Sequence, residues 1–289
     1  MKISVCGKGG SGKSTIVTLL ANGARDREFQ VLVVDSDESN SGLYRMFGFD
    51  RAPIPLMELI GGKSSLKQKM SQPQVLAQAE IWLRDIPPEY MLEKDGIRLV
   101  AIGKILQSLE GCACPMGVLS REFLKKLRLK DKEITIVDME AGVEHFGRGV
   151  ETSIDSVLVV VEPSLESITL AERINSLATG SGVSNTWAVL NKVSSDGMAS
   201  KLRGELSRRG IGVIGAIHNQ PEIFEACFEG HPLGGGKAGE EIGEVLDSLL
   251  SEAKSGDEGT RNNLRQSKPK GGIENMLESS SKLTSHLEQ

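Results

Sequence analysis

Cysteine is scarce in this chain: four occur in 289 residues, at Cys6, Cys112, Cys114 and Cys227. The chain opens on "MKISVC" without an apolar leader, and no run of about 18 apolar residues appears that could span a bilayer. Together these absences predict a reducing, cytoplasmic setting. An excess of basic residues is also missing. Thirty-four Lys and Arg stand against 39 Asp and Glu, a net charge of -5, which argues against an electrostatically driven grip on nucleic acid or on an anionic membrane. What is present is ordinary for a globular protein, 39% hydrophobic and 25% charged, in a length that suits one large domain or two small ones.

Short β-branched runs recur at 2–6 ("KISVC"), 31–35, 97–102, 133–138, 156–161, 186–191 and 212–217. Most are apolar throughout, as strands buried on both faces must be. Stretches with helical spacing lie between them, such as Ile16, Val17, Leu19 and Leu20, and later Leu119, Phe123, Leu124 and Leu127. Alternation of strand and helix predicts an α/β fold, a mostly parallel sheet of seven to eight strands with helices on both faces. Residues 62–95 are less regular and read as an insertion or lid. Beyond Ala253 the composition turns to Ser, Lys, Glu, Asn and Gly, which predicts a domain over 1–253 and a polar, disordered tail over 254–289. The last stretch, "IENMLESSSKLTSHLEQ", could form a weak terminal helix but lacks the basic face of a membrane-surface helix.

The first strand runs directly into "GKGGSGKST", which contains G-x-x-x-x-G-K-[ST] from Gly7 to Ser14 and is followed by an apolar helix. Successive backbone N–H groups from Gly9, Gly10, Ser11 and Gly12 through Lys13, Ser14 and Thr15 can curl around a phosphate at a helix amino end. Lys13 is expected to reach the β- and γ-phosphates and Ser14 to ligate Mg2+. Lys8 is a second lysine inside the loop, read either as a solvated surface residue or as a functional one.

That second lysine makes "GKGGSGKST" resemble the deviant Walker A loop of the MinD-type (SIMIBI) P-loop ATPases. The resemblance implies that Lys8 reaches across a nucleotide-bridged homodimer to the partner's phosphates. It implies further that Asp37 of "VVDSDES" orients or deprotonates the attacking water. Asp35 would lie nearer the Mg2+ shell. Asp138 of "IVDMEAG" would face Mg2+ through water, with Gly142 near the γ-phosphate. For the base, "VLNKV" ends a strand with Asn191 and Lys192; an asparagine amide offers both a donor and an acceptor to an adenine edge. Ser194 stands where the guanine-binding N-K-x-D pattern needs an aspartate, which favours ATP. Asn219, Gln220 and Pro221 are softer candidates for the base pocket, Pro221 serving equally as a helix-start residue.

"EGCACPMG" sets Cys112 and Cys114 one residue apart between Gly111 and Pro115. Incidental buried thiols, a disulfide, an isolated redox pair and a metal site are the readings, of which metal binding leads, because a reducing compartment disfavours the disulfide and the flanking residues suggest an exposed loop. Two thiolates fill half of a four-coordinate site. Cys6 lies within the first strand and Cys227 reads as a buried helical position, so a second copy of the same loop across a two-fold axis is the simplest completion.

"EGCACPMG" together with "VDMEAGVEHFGRGV" resembles the CooC-type nickel-insertion ATPases, maturation factors of carbon monoxide dehydrogenase and acetyl-CoA synthase, over about residues 1–250. The resemblance implies Ni2+ or Zn2+ held by Cys112 and Cys114 at the interface of an ATP-dependent homodimer. Its client would be an apo-form of one of those enzymes. His145 and Arg148 would either relay nucleotide state or serve structure alone. An iron–sulfur carrier of the C-x-x-C type, an iron-protein-like reductase and a MinD- or ParA-like positioning ATPase are the alternatives.

Overall fold

All seven apolar runs become strands of one eight-stranded sheet in the computed structural model, which describes residues 1–40, 42–105, 114–183 and 185–266, with side chains to residue 252. In chain order the elements begin β1 (Lys2–Gly7), α1 (Lys13–Asp26), β2 (Gln30–Asp35), α2 (Leu43–Met46), α3 (Leu56–Leu59), α4 (Gly62–Lys69), β3 (Ile81–Trp82), β4 (Leu92–Lys94) and β5 (Ile97–Ala101). They continue α5 (Cys114–Lys126), β6 (Leu127–Arg128), β7 (Glu133–Asp138), α6 (Glu144–Gly147), β8 (Ser156–Val161), α7 (Leu165–Gly180), β9 (Thr186–Val193), α8 (Asp196–Ser207), β10 (Gly212–His218), α9 (Pro221–Glu229) and α10 (Gly236–Gln266). The sheet order is β10-β9-β8-β1-β7-β2-β5-β4, parallel throughout except for β4, which pairs antiparallel with β5.

The apolar runs are explained by where alternate side chains go. Val31 and Val33 of β2 join Ile16, Leu19 and Leu20 of α1 and Ile242 and Val245 of α10 in one buried cluster. Leu32 and Val34, pointing the opposite way, join Leu119 and Phe123 of α5 and Ile168 of α7 in the other. A strand with helices over both faces can spare no polar position. Residues 1–253 form one compact unit. No described helix is long and apolar enough to cross a membrane.

Residues 62–95, expected as an insertion or lid, pack as an insertion against the sheet: Leu66, Val75, Leu76, Ile81, Leu83 and Ile86 are buried in the cluster that α5 joins, and the segment supplies β4, the eighth strand. One expectation changes. The tail expected to be disordered from residue 254 is helical to Gln266. Ala238, Ile242, Val245, Leu246 and Leu249 anchor the first turns of α10, and a nucleated helix adds residues at little cost even through a polar sequence. The remainder of the tail, from residue 267, lies outside the described residues.

Because Leu32 is fully buried between strand neighbours and α5, Leu32→Ala is expected to cost about 2–5 kcal/mol in urea unfolding of the full chain. Leu165→Ala, at a side chain 68% exposed, should stay within about 0.5 kcal/mol.

Candidate active site

Every segment singled out for nucleotide binding leaves the carboxyl edge of the parallel sheet, where open α/β sheets hold ligands. A cavity of 510 Å³ opens there, walled by the loop after β1, by Asp37 and Asn40 after β2, by Ala141 after β7, by Asn191 and Lys192 of β9, and by Asn219 after β10.

The phosphate loop is built around glycine. Gly7 has φ +147°, and a Cβ there would meet the Val160 carbonyl at 2.7 Å; Gly12 has φ +94°, and a Cβ there would collide with the Asn191 amide. Gly12 caps α1 without a side chain to offer, and the first turn of α1 holds no acid. The amino-end N–H groups therefore have no internal anion, which leaves them for a ligand. Gly9, Gly10, Gly12, Lys13, Ser14 and Thr15 line the cavity, and Ser11 is buried beneath it. Lys13 is itself buried and has no ion pair among the described residues.

Asp35 and Asp138 are directly paired on neighbouring strands β2 and β7. Burial, compounded by the Asp35 charge and countered by the Ser14 hydroxyl and Lys13, pushes the Asp138 carboxyl up to about 7. Burial, against the opposing pull of Lys104, raises Asp35 to about 6. Ser14 Oγ donates to Asp138 Oδ2 at 2.7 Å, and Asn40 Nδ2 donates to Ser14 Oγ at 2.9 Å. Oδ1 of both aspartates is buried without a hydrogen-bond partner among the described residues. Unused carboxylate oxygens beside a serine hydroxyl fit Mg2+, a hard cation that takes oxygen ligands. Ser14 and Asp138 would hold it.

Other expected residues are engaged in ways the sequence did not announce. Asp35 Oδ2 pairs with Lys104 Nζ at 2.7 Å, and the same ammonium bonds the Asp37 carbonyl at 2.5 Å and the Asn40 carbonyl. Lys104 thus pins the turn that carries Asp37. Asp37 lines the cavity, its Oδ1 accepting from Ser39 N–H at 2.9 Å, Ser39 Oγ at 2.6 Å and Asn40 N–H at 3.2 Å. Asn191 spends one of its two amide N–H donors on the Ser11 carbonyl at 2.8 Å. Lys192 adopts φ +58° and turns its ammonium back to the Gly10 carbonyl. Lys8 lies outside the cavity lining, its Nζ 3.0 Å from Glu162 Oε1 and its side chain 38% exposed; Lys192 shares the same carboxylate at 3.5 Å.

At the base end, Asn219 and Gln220 line the cavity, whereas Pro221 does not and stands as the first residue of α9. Cys227 is exposed and lines the cavity, contrary to the buried position its apolar neighbours suggested. The reason is that no residue of α9 is buried: its apolar face borders the cavity and solvent, with Phe224 and Phe228 stacked, 70% and 83% exposed.

The segment after Asp138 joins the loop and α5. Gly142 N–H donates to the Gly7 carbonyl at 3.2 Å. Arg148 bonds Glu140, lies 3.6 Å from Glu38, and packs where any side chain at Gly117 of α5 would have to sit. Burial and the neighbouring Glu38 raise Glu140 to about 7 against the pull of Arg148. Ser36 Oγ, just past β2, hydrogen-bonds Ser120 Oγ of α5 at 2.9 Å. His145 bonds Glu151 beneath this segment, and although burial alone would lower its pKa, Cys6 and Glu151 raise it to about 10. Cys114 is exposed as the first residue of α5 and is disulfide-bonded, against the expectation from compartment, so ligation by its thiolate requires reduction. Cys112 lies outside the described residues.

Residues 3–233 match the CobQ/CobB/MinD/ParA nucleotide binding domain. The chain belongs to this family. As a MinD/ParA-family protein it is a P-loop ATPase. It is 43% identical over 259 residues to an ATP-binding protein of Methanocaldococcus jannaschii, covering 88% of this chain and 97% of that one. It is 33% identical over 199 residues to the carbon monoxide dehydrogenase accessory protein CooC of Rhodospirillum rubrum, covering 68% and 75% respectively. Its fold matches MinD in the MinC:MinD complex of Aquifex aeolicus with a TM-score of 0.63 at 17% identity, covering 86% of this chain and 95% of that one. MinD of Pyrococcus horikoshii with Mg-ADP matches with the same score and coverage at 16% identity.

Asp138 carries the pH expectation for the nucleotide-free protein. Its folded pKa of about 7 lies above the ordinary 3.8, so the folded state binds more protons and loses stability as pH rises between those values. Asp138→Asn should therefore stabilise the nucleotide-free chain at pH 8, with the gain vanishing toward pH 4, while lowering Mg2+-dependent ATP hydrolysis. Urea midpoints at the two pH values and phosphate release measure both effects.

Proposed function

We propose that this ATPase is a cytoplasmic metallochaperone that carries Ni2+, or Zn2+, between Cys112 and Cys114 of two paired protomers and helps insert nickel into carbon monoxide dehydrogenase or acetyl-CoA synthase. The observation that carries the reading is the mechanical tie of α5 to both nucleotide-sensing segments: the Ser36–Ser120 hydrogen bond on one side and Arg148 against Gly117 on the other. A helix that begins at Cys114 and rests on both segments moves when they move. The likeness to CooC of Rhodospirillum rubrum, named as a carbon monoxide dehydrogenase accessory protein, supports the client class.

In this mechanism Lys13 and the α1 amino end bind the β- and γ-phosphates. Ser14 and Asp138 hold Mg2+, which when bound neutralises charge on the phosphate oxygens. Asp37 orients water against the γ-phosphorus and accepts its proton as the bond to the β-bridging oxygen breaks, giving ADP and phosphate. Lys8 exchanges Glu162 for the partner's phosphates, which pairs the protomers and brings two cysteine pairs together. Two thiolates from each chain complete the four ligands a soft or borderline metal takes. Loss of the γ-phosphate relaxes Glu38, Glu140 and Arg148 and with them α5.

Metal stoichiometry on reduced protein tests the site. Wild type is expected to bind one Ni2+ per dimer, and Cys112→Ala/Cys114→Ala to bind none between chains; ATP-dependent dimers that keep an interchain nickel without these thiols would end the assignment. Light scattering with ATP tests Lys8. Lys8→Ala should abolish ATP-dependent dimerisation while ATP binding survives, and Glu162→Gln should tighten it by roughly two- to five-fold, the range a partly exposed ion pair supplies.

A further inference from the structure

Cys6, His145 and Glu151 come from positions 145 residues apart at their extremes, yet their ligating atoms all lie within 4.8 Å of one another, and all three side chains are buried. Cys6 is the penultimate residue of β1, just before the phosphate loop, and His145 and Glu151 follow the segment after Asp138. None of the three is used by the hydrolysis or by the thiolate pair proposed above. We propose that they form a second metal site, inside each protomer, for a borderline divalent cation such as Zn2+ or Ni2+.

The donor set is a sulfur, a ring nitrogen and a carboxylate oxygen, the mixture that Zn2+ accepts at about 2.0–2.3 Å. Those bond lengths set ligand atoms about 3.3–3.5 Å apart in a tetrahedron, so no pair in the cluster has to close by more than about 1.5 Å. Charge also fits. A thiolate and a carboxylate cancel a divalent cation while the imidazole stays neutral, which matters at a site this deeply buried. His145 is the only ion-pair partner of Glu151 among the described residues. Two polar atoms of the cluster, His145 Nε2 and Glu151 Oε2, are buried with no hydrogen-bond partner among the described residues, a deficit that a protein interior rarely tolerates and that a cation would remove. A metal there would tie the last turn of backbone before the phosphate loop to the segment that senses the γ-phosphate.

The chain has four cysteines, so Cys112→Ser/Cys114→Ser/Cys227→Ser leaves Cys6 as its sole thiol. Titrated with Co2+ under reducing conditions, this triple variant is expected to take up one ion per protomer and to develop a sulfur-to-cobalt charge-transfer band in the near ultraviolet, which Zn2+ then displaces. Adding Cys6→Ala should remove the band, and Glu151→Gln should weaken binding by about ten-fold or more. A triple variant that still binds ATP but shows no band and no stoichiometric uptake overturns the proposal, leaving a hydrogen-bonded cluster. So does a band that Glu151→Gln and His145→Gln both leave unchanged. If the triple variant does not bind ATP, the same titration on wild-type protein natively alkylated at its reactive thiols, with unmodified Cys6 verified by peptide mass, decides the matter by the same two outcomes.

Discussion

An uncapped helix amino end is the constraint around which this molecule is arranged. Gly12 brings no side chain to the first N–H groups of α1, no acid follows in the first turn, and Lys13 is buried beside them without an ion-pair partner among the described residues. Positive potential is therefore concentrated at the mouth of the sheet. The compensating anions are held one layer away, on β2 and β7, where Asp35 and Asp138 are too deeply buried and too near each other to be comfortable as charges. A phosphate with its cation satisfies both halves at once. Lys104 and Asn40 keep the arrangement from collapsing before that happens, one by neutralising Asp35 and the other by holding the Ser14 hydroxyl.

The same region is tied to α5. Glu38 follows the turn after β2, Glu140 lies in the turn after β7, and Arg148 bridges them while resting on α5. A guanidinium between two carboxylates, one of which is raised toward neutrality, can change partners for small energetic cost as the turns shift. The absence of a side chain at Gly117 lets that guanidinium lie directly on the backbone of the cysteine-bearing helix.

Most of the sheet was legible in the sequence because burial on both faces leaves a continuous apolar run, and the phosphate loop was legible because its glycines are demanded by backbone geometry. β4 was not: "LEK" is three residues long, polar, and at an edge, with neither periodicity nor an apolar run to betray it. Lys104, Asn40 and Glu162 escaped for another reason, being single residues whose partners are distant in sequence, although Lys104 does stand just past the carboxyl end of a buried strand, where the rule that found Asp35 could have found it. The exposure of Cys227 is not legible, because an apolar helical face looks the same whether it meets a core or a cavity. Cys6 and His145 are far apart in sequence; only the parallel pairing of β1 with β7 brings them together.

Glu162 answers two lysines, one from the phosphate loop and one from β9. When either ammonium swings away, the carboxylate that remains is still matched by the other. The departure need not strand a bare anion at the rim of the sheet, so rearrangement of this corner can go forward by single side-chain steps, each nearly level in energy, rather than by one concerted break.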